Sequence, residues 1–255
     1  INIVIFDDMI NGLKLFGSYL SMLGNVFSTP ENKKVYLRRV LEEMVNLGVN
    51  SLTIVSIISL FMGAVVTIQT GLQLSNPFIP KYLIGYATRE SLILEFSPTM
   101  IALILAGKVG SSIASEIGTM RVSEQIDALE IMGINSAAFI IQPKIIASIL
   151  FFPFLVIISM AIGMLGGFLA ATLGGIINKG EFLQGLIYFF EPFYIFYALV
   201  KTVFFAFAIS SISSFFGYFT SGGALAVGKS STKAVVYSCI VILIINFILT
   251  QLMLA

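Results

Sequence analysis

The feature that most constrains this chain is a series of apolar runs at 51–74, 82–107, 145–174, 193–217 and 234–254. A helix needs about 20 predominantly apolar residues to cross a bilayer, and each run reaches that length. No run shows the ten-residue alternation of a membrane β-strand, so the backbone can satisfy itself in hydrocarbon only as helix. Apolar residues make up 58 % of the 255 and charged residues only 11 %, outside the range of an ordinary soluble domain. The expected fold class is an all-α integral membrane protein with about five transmembrane helices.

The first fifty residues read differently. Residues 1–28 mix Asp7, Asp8 and Lys14 with apolar residues at helical spacing, and after Pro30 the run 31–46 is a basic amphipathic helix. Neither has the uninterrupted apolar run of a span or the residue order of a cleaved signal peptide. Both are expected in the membrane surface plane, with a soluble helix pair as the alternative. The expected organisation is therefore 1–48 as amphipathic interfacial helices and 49–255 as the membrane domain.

Lys and Arg set the orientation. With the N-terminus on the cytoplasmic side, that side carries Lys14, Lys33, Lys34, Arg38, Arg39, Lys108, Arg121, Lys144, Lys229 and Lys233. The other side carries Lys81, Arg89 and Lys179, and Lys201 lies within a span.

Residues 105–136 are the most distinctive block. Small residues recur every four positions at Ala106, Gly110, Ala114 and Gly118, and again at Gly107, Ser111 and Ser115. On a helix that spacing makes a smooth stripe along which another helix can approach closely. Gly163, Gly167, Ala171 and Gly175 repeat the pattern in the third run, where packing within one chain is the simpler reading. Beyond the first stripe, Arg121, Glu124, Asp127 and Glu130 are spaced three apart on the polar face of a short helix over about 122–132. Ser123 is the expected N-cap and Gly133 the expected stop. A packed membrane helix leading into a short acidic helix at the water boundary suits docking of a soluble partner. Arg121, Glu124, Gln125, Asp127 and Glu130 are the candidate contacts.

The chain has no His and one Cys, which leaves no metal cluster, haem ligation, or Cys–His or Ser–His catalysis to propose. Cys239 reads as a small packing residue. Gly223–Ser230 fits the phosphate-loop pattern G-x-x-x-x-G-K-S, yet it follows a membrane helix and runs straight into the last span. The strand–loop–helix context that gives that pattern its chemistry is missing. Aromatic residues at 189–197 (FFEPFYIFY) form an expected interfacial belt.

Charges inside spans are costly and commonly face a cavity or a partner. Lys201 lies in IFYALVKTVFF, and Glu95 lies in LILEFSPTM just before Pro98, which removes a backbone donor. An ion pair fastening two helices, a snorkelling Lys201, and a polar pocket for a lipid headgroup all fit these residues.

The block AGKVGSSIASEIGTMRVSEQIDALEIMGINS, with LEFSP at 94–98, LVKTVFF at 199–205 and GYFTSGGALAVGKSSTKAVV at 217–236, resembles the MlaE-type permeases, membrane subunits of lipid ABC transporters. The resemblance implies a homodimeric permease moving phospholipid, with ATP bound and hydrolysed on a separate ABC subunit and an MCE-domain lipid-binding partner on the far side. It implies no enzyme activity or cofactor on this chain and no nucleic-acid partner. It implies residence in a bacterial inner membrane, with the plastid inner envelope as the alternative. The acidic helix becomes a coupling helix, and Glu95 and Lys201, with Leu94, Pro98 and Asn246, become the lipid-binding set. Some members carry Arg where this chain has Leu94 and an acid where it has Asn246, so fewer charges surround the pocket here. Arg89 could stand in for that Arg, although its place suggests the outer boundary. An ion- or proton-coupled secondary transporter using Glu95, and a non-transporting membrane scaffold, are the alternatives.

Overall fold

A computed structural model describes residues 2–27, 33–74, 76 and 78–254, with side chains from Lys14 onward. Pro30 and the side chains of Asp7 and Asp8 lie outside the described residues. The helices are α1 (Asn2–Val26), α2 (Lys33–Glu43), α3 (Leu52–Gln73), α4 (Tyr82–Ser91), α5 (Ile101–Leu105) and α6 (Ser111–Val122). They continue with α7 (Gln125–Ile131), α8 (Ser136–Leu173), α9 (Lys179–Ile187), α10 (Pro192–Tyr218) and α11 (Ala224–Leu254). Among the described residues there is no strand.

Among the described residues five helical segments are long and apolar enough to cross a membrane: Lys33–Gln73, Tyr82–Val122, Ser136–Leu173, Pro192–Tyr218 and Ala224–Leu254. They cover the five apolar runs, short by one residue at 74 and at 174, and extend them at their other ends. α2 passes through a π-helical turn, Met44–Gly48, and a 3-10 turn, Val49–Ser51, into α3, with right-handed helical backbone throughout. The expected boundary at 48/49 thus falls inside continuous helix. The third span begins at Ser136 rather than 145, because Asn135 caps it by accepting from Ala138 N–H at 3.1 Å. Pro192 at the start of α10 occupies the one region of a helix that tolerates a missing donor.

The outer surface is apolar, unlike that of a soluble protein, and hydroxyls are buried among the apolar core residues. Ser59, Thr67, Ser210, Ser211, Ser213 and Ser214 are buried, while Phe61, Leu72, Leu165, Phe247 and Leu252 project outward. Several of these hydroxyls bond carbonyls one turn back, as Ser59 does to Val55 O and Thr67 to Gly63 O. Ser59 also reaches Ser159 Oγ across the α3–α8 contact at 2.8 Å. That contact is very close: a methyl group at Gly63 would fall on the Gly163 carbonyl, and one at Gly166 on the Leu60 carbonyl. The Gly163 stripe therefore packs within the chain, as its spacing suggests.

The stripe at Ala106, Gly110, Ala114 and Gly118 is buried too. Gly110 faces Ser213 of α10, and Gly118 faces Val227 of α11. The parallel row behaves differently: Gly107 and Ser115 are exposed and Ser111 is half-buried. The N-terminal helix α1 lies at the α7 end of the bundle, where Tyr19 OH and Ser211 Oγ are 2.8 Å apart and Asn135 Nδ2 donates to Asn25 O.

Candidate functional site

Among the described residues several polar clusters interrupt the bundle, and the first is built on a distorted helix. Residues Leu92–Met100 wind as a π-helix around Pro98. In an α-helical register the Leu94 carbonyl would look to the N–H of residue 98, where proline has none. Lys201 Nζ, on α10, donates to that carbonyl at 3.3 Å and to Glu95 Oε1 at 2.8 Å. The second carboxylate oxygen, Oε2, accepts from Thr99 Oγ1 and from Asn246 Nδ2, each at 3.1 Å. Thr250 Oγ1 lies 3.3 Å from Lys201 Nζ and 2.8 Å from Tyr197 OH. The Lys201 ammonium also sits 4.6 Å from the centre of the Tyr197 ring.

All five residues expected at this site therefore meet. Glu95, Lys201 and Asn246 contribute side chains, Leu94 its carbonyl and Pro98 the break that shapes the turn. Lys201 does not snorkel: it is fully buried, whereas the Glu95 side chain keeps 43 % of its surface open. Asn246 supplies what an acid at its place cannot when ionised, a donor to Glu95. Thr99, Thr250 and Tyr197 complete the cluster and were not anticipated. π-Helical turns of this kind recur at functional sites, and an ion pair open on one side can exchange a protein contact for a ligand's.

Arg89 does not reach this cluster. It is buried, pairs with Glu90, and donates to the carbonyls of Leu186, Tyr188 and Phe189 at 2.7, 2.9 and 3.1 Å. It thereby fastens the chain that leaves α9, including Phe189 with its left-handed backbone (φ 46°). The idea that Arg89 replaces the Arg missing at position 94 is corrected on this geometry.

The second cluster was not read from the sequence. Lys144, almost fully buried in α8, donates to Glu43 of α2 at 2.6 Å and to Glu116 of α6 at 2.8 Å. One lysine thus joins three helices at the α7 end.

The third cluster surrounds α7. Ser123 is not its N-cap: the hydroxyl donates back to Thr119 O at 2.8 Å, because the chain reverses at Glu124 in a left-handed conformation (φ 60°). The short helix is accordingly Gln125–Ile131, and Gly133 (φ 79°) follows it, a conformation in which a Cβ is strained. Glu124 and Gln125 are exposed, and Arg121 Nη1 pairs with Asp127 Oδ1 at 2.6 Å. Glu130 turns toward its own chain, accepting from Ser136 Oγ at 2.8 Å and from Tyr218 OH at 2.9 Å. Those bonds, from Ser136 first, hold its carboxyl below the ordinary range.

The Gly223–Ser230 motif does not form a phosphate cradle. The N–H groups of Ala226 and Val227 donate to the Gly223 carbonyl, and the segment is the first part of α11.

Residues 40–252 match the family model described as Permease MlaE. The chain is 38 % identical over 218 residues to a probable ABC transporter permease protein of Rickettsia bellii, covering 86 % of this chain and 84 % of that one. It is 36 % identical over 232 residues to a probable ABC transporter permease protein of Synechocystis, covering 91 % and 88 %. It is 31 % identical over 235 residues to the intermembrane phospholipid transport system permease protein MlaE of Haemophilus influenzae, again covering 91 % and 88 %.

Proposed function

The chain belongs to the MlaE permease family, and from that premise we propose that it is the membrane permease of an ABC transporter that moves phospholipid between membranes. The observation that carries this reading is the Glu95–Lys201 cluster, an ion pair deep in the spans whose carboxylate is open on one side. A zwitterionic or anionic headgroup entering that opening meets the Glu95 carboxylate, with the buried Lys201 ammonium and the Thr99, Thr250 and Tyr197 hydroxyls behind it. Its acyl chains meet hydrocarbon-compatible helix faces.

ATP binding and hydrolysis belong to a separate ABC subunit seated on α7, with the α7 end toward the cytoplasm of a bacterial inner membrane. The open side of Glu95 faces a second copy of this chain, so that a homodimer encloses the lipid. An MCE-domain protein receives or delivers the lipid at the α9 end. Closure of the ATPases moves α7 as a rigid body, and the helix bundle passes that displacement to the pocket.

The test is the double variant Glu95→Gln with Lys201→Met, which removes both charges together and largely spares folding. Reconstituted with its ATPase, it is expected to insert and assemble normally, to lose phospholipid transport, and to carry less co-purified phospholipid. Wild-type transport by the double variant would reduce the pair to a structural fastener. Transport by the wild-type permease without any ATPase would point to the ion-coupled alternative.

A further inference from the structure

A cleft of 320 Å³ opens between α1, the end of α10 and the start of α11. Lys229, Lys233 and Ser230 line one side, and Leu15, Phe216 and Phe219 line the other. Its polar groups are all donors or hydroxyls, with no carboxylate in the lining. Arg38, Arg121 and Lys144 each have a carboxylate within 3 Å. Among the described residues Lys229 and Lys233 have none within ion-pair distance, and the Ser230 hydroxyl has no hydrogen-bond partner. Lys229 and Lys233 are four residues apart on α11, so both ammonium groups leave the same face of one helix.

We propose that this cleft is a phosphate-recognition site, which holds the headgroup phosphate of an anionic phospholipid resident beside the protein. The chemistry is that of an anion site: two unpaired cations and a free hydroxyl converge, and no acceptor opposes them. The apolar wall decides the source of the phosphate. Phe219 and Leu15 are about half exposed, at 51 % and 45 %, and a soluble phosphate would leave them uncovered. The glycerol and upper acyl carbons of a lipid cover them. The cleft also lies where α10 ends and α11 begins, at the ends of two helices long and apolar enough to span, which is where lipid headgroups meet a spanning helix. The lysine and serine of the phosphate-loop-like motif thus face a phosphate site without the fold of a nucleotide-binding domain. This site is separate from the Glu95 cluster and does not depend on the transport reading.

The experiment uses the full chain in nanodiscs of phosphatidylcholine with a minor fraction of phosphatidylglycerol, followed by graded delipidation and native mass spectrometry. Wild type is expected to retain phosphatidylglycerol in preference to phosphatidylcholine. Lys229→Gln with Lys233→Gln is expected to bind it roughly 30-fold more weakly, about a fivefold loss for each lysine near a membrane surface. The Lys229→Arg, Lys233→Arg variant should retain it. Phe219→Ser should weaken the lipid without removing a charge. Displacement of the lipid by inorganic phosphate, with Phe219→Ser unchanged, would overturn the lipid assignment and make the site one for free phosphate. Equal phosphatidylglycerol retention by wild type and the double glutamine variant would overturn the site altogether. Should the double variant fail to stay monodisperse, each single glutamine variant is read by the same criterion.

Discussion

Lys201 is fully buried, while Glu95, 2.8 Å from its ammonium, keeps 43 % of its side chain open. The two partners of one ion pair therefore stand in unequal environments, and their removal has unequal consequences. Glu95→Gln leaves a buried ammonium with neutral acceptors alone, the Gln amide oxygen, the Leu94 carbonyl, Thr250 and a tyrosine face, and should cost about 3 kcal/mol or more. Lys201→Met leaves a half-open carboxylate still held by Thr99 and Asn246, and should cost roughly 1–2 kcal/mol. Unfolding of both single variants and of the Glu95→Gln, Lys201→Met double variant in one detergent measures this order. The double variant should be more stable than Glu95→Gln alone, and equal stability of the two single variants would deny the asymmetry.

Part of the Glu95 cluster is legible in the sequence. Glu95, Lys201, Pro98 and Asn246 stand out in sequence because each is a polar group or a helix breaker in an apolar run. The residues that complete the cluster lie one helical turn from them: Thr99 from Glu95, Thr250 from Asn246, and Tyr197 from Lys201. That i±4 relation is a usable signal, but Thr and Tyr are common enough in membrane helices that it gains force only once a charge anchors it. Lys144 was not legible. It lies just ahead of the strongest apolar stretch and after Pro143, where a loop cation is the simpler expectation. Its partners Glu43 and Glu116 sit 101 and 28 residues away. The turn before α7 was missed for a local reason: serine suits an N-cap and also back-bonds to the preceding turn, and here the latter holds.

Lys144 makes a second test of buried charge. It balances two carboxylates from two other helices, so Lys144→Met leaves Glu43 and Glu116 beside each other without their shared ion-pair partner. The expected loss is about 3–5 kcal/mol, and adding Glu43→Gln and Glu116→Gln should recover much of it. Thermal unfolding of the single and triple variants is the measurement. A single variant as stable as wild type would mean that the lysine contributes little to joining α2, α6 and α8.

Close helix approach gives a prediction that needs no charge. At Gly166 an added methyl meets the Leu60 carbonyl, a backbone atom that cannot move without shifting α3. At Gly107 an added methyl meets nothing within 4 Å. Gly166→Ala should therefore destabilise the protein by about 1–3 kcal/mol or more, and Gly107→Ala should be neutral in the isolated chain. Stability in detergent compares the two. A loss at Gly107 that appears only in the assembled complex would locate a subunit contact on that exposed row.

Glu130 links the short helix to its own bundle, and protonation should loosen that link. Its folded-state carboxyl is held below the ordinary range by Ser136 and Tyr218. A carboxylate lowered in this way contributes stability above its unfolded pKa, and that contribution is lost as pH falls through the lower folded value. The anchor is thus intact at neutral pH and weakens only on the acid side of the usual glutamate range. Hydrogen exchange over Gln125–Ile131, corrected for intrinsic rates, should rise in that acid window in wild type. In Glu130→Gln it should be raised already at neutral pH and change little with acid. Identical profiles would show that the carboxylate does not hold α7.

With Glu130 exposed but bonded to Ser136 and Tyr218 of its own chain, the acidic row is no longer a uniform docking surface. Asp127 is paired with Arg121 across the turn, and Glu124, left-handed at the head of α7, is exposed without an ion-pair partner among the described residues. Charge reversal at Glu124 and Asp127 should therefore release the ATPase subunit, since it presents cations where a basic groove expects acids and also frees Arg121. Reversal at Glu130 should act differently, by detaching α7 from Tyr218 and Ser136. The Glu124→Lys, Asp127→Lys variant is expected to keep the permease fold, seen as unchanged unfolding of the bundle, while co-purified ATPase falls at least tenfold, the effect of about 1.4 kcal/mol. Glu130→Lys is expected to lower helix protection over Gln125–Ile131 before it lowers affinity. Full ATPase stoichiometry in the double reversal would remove the acidic face of α7 as the docking element and leave its carboxylates with structural roles alone.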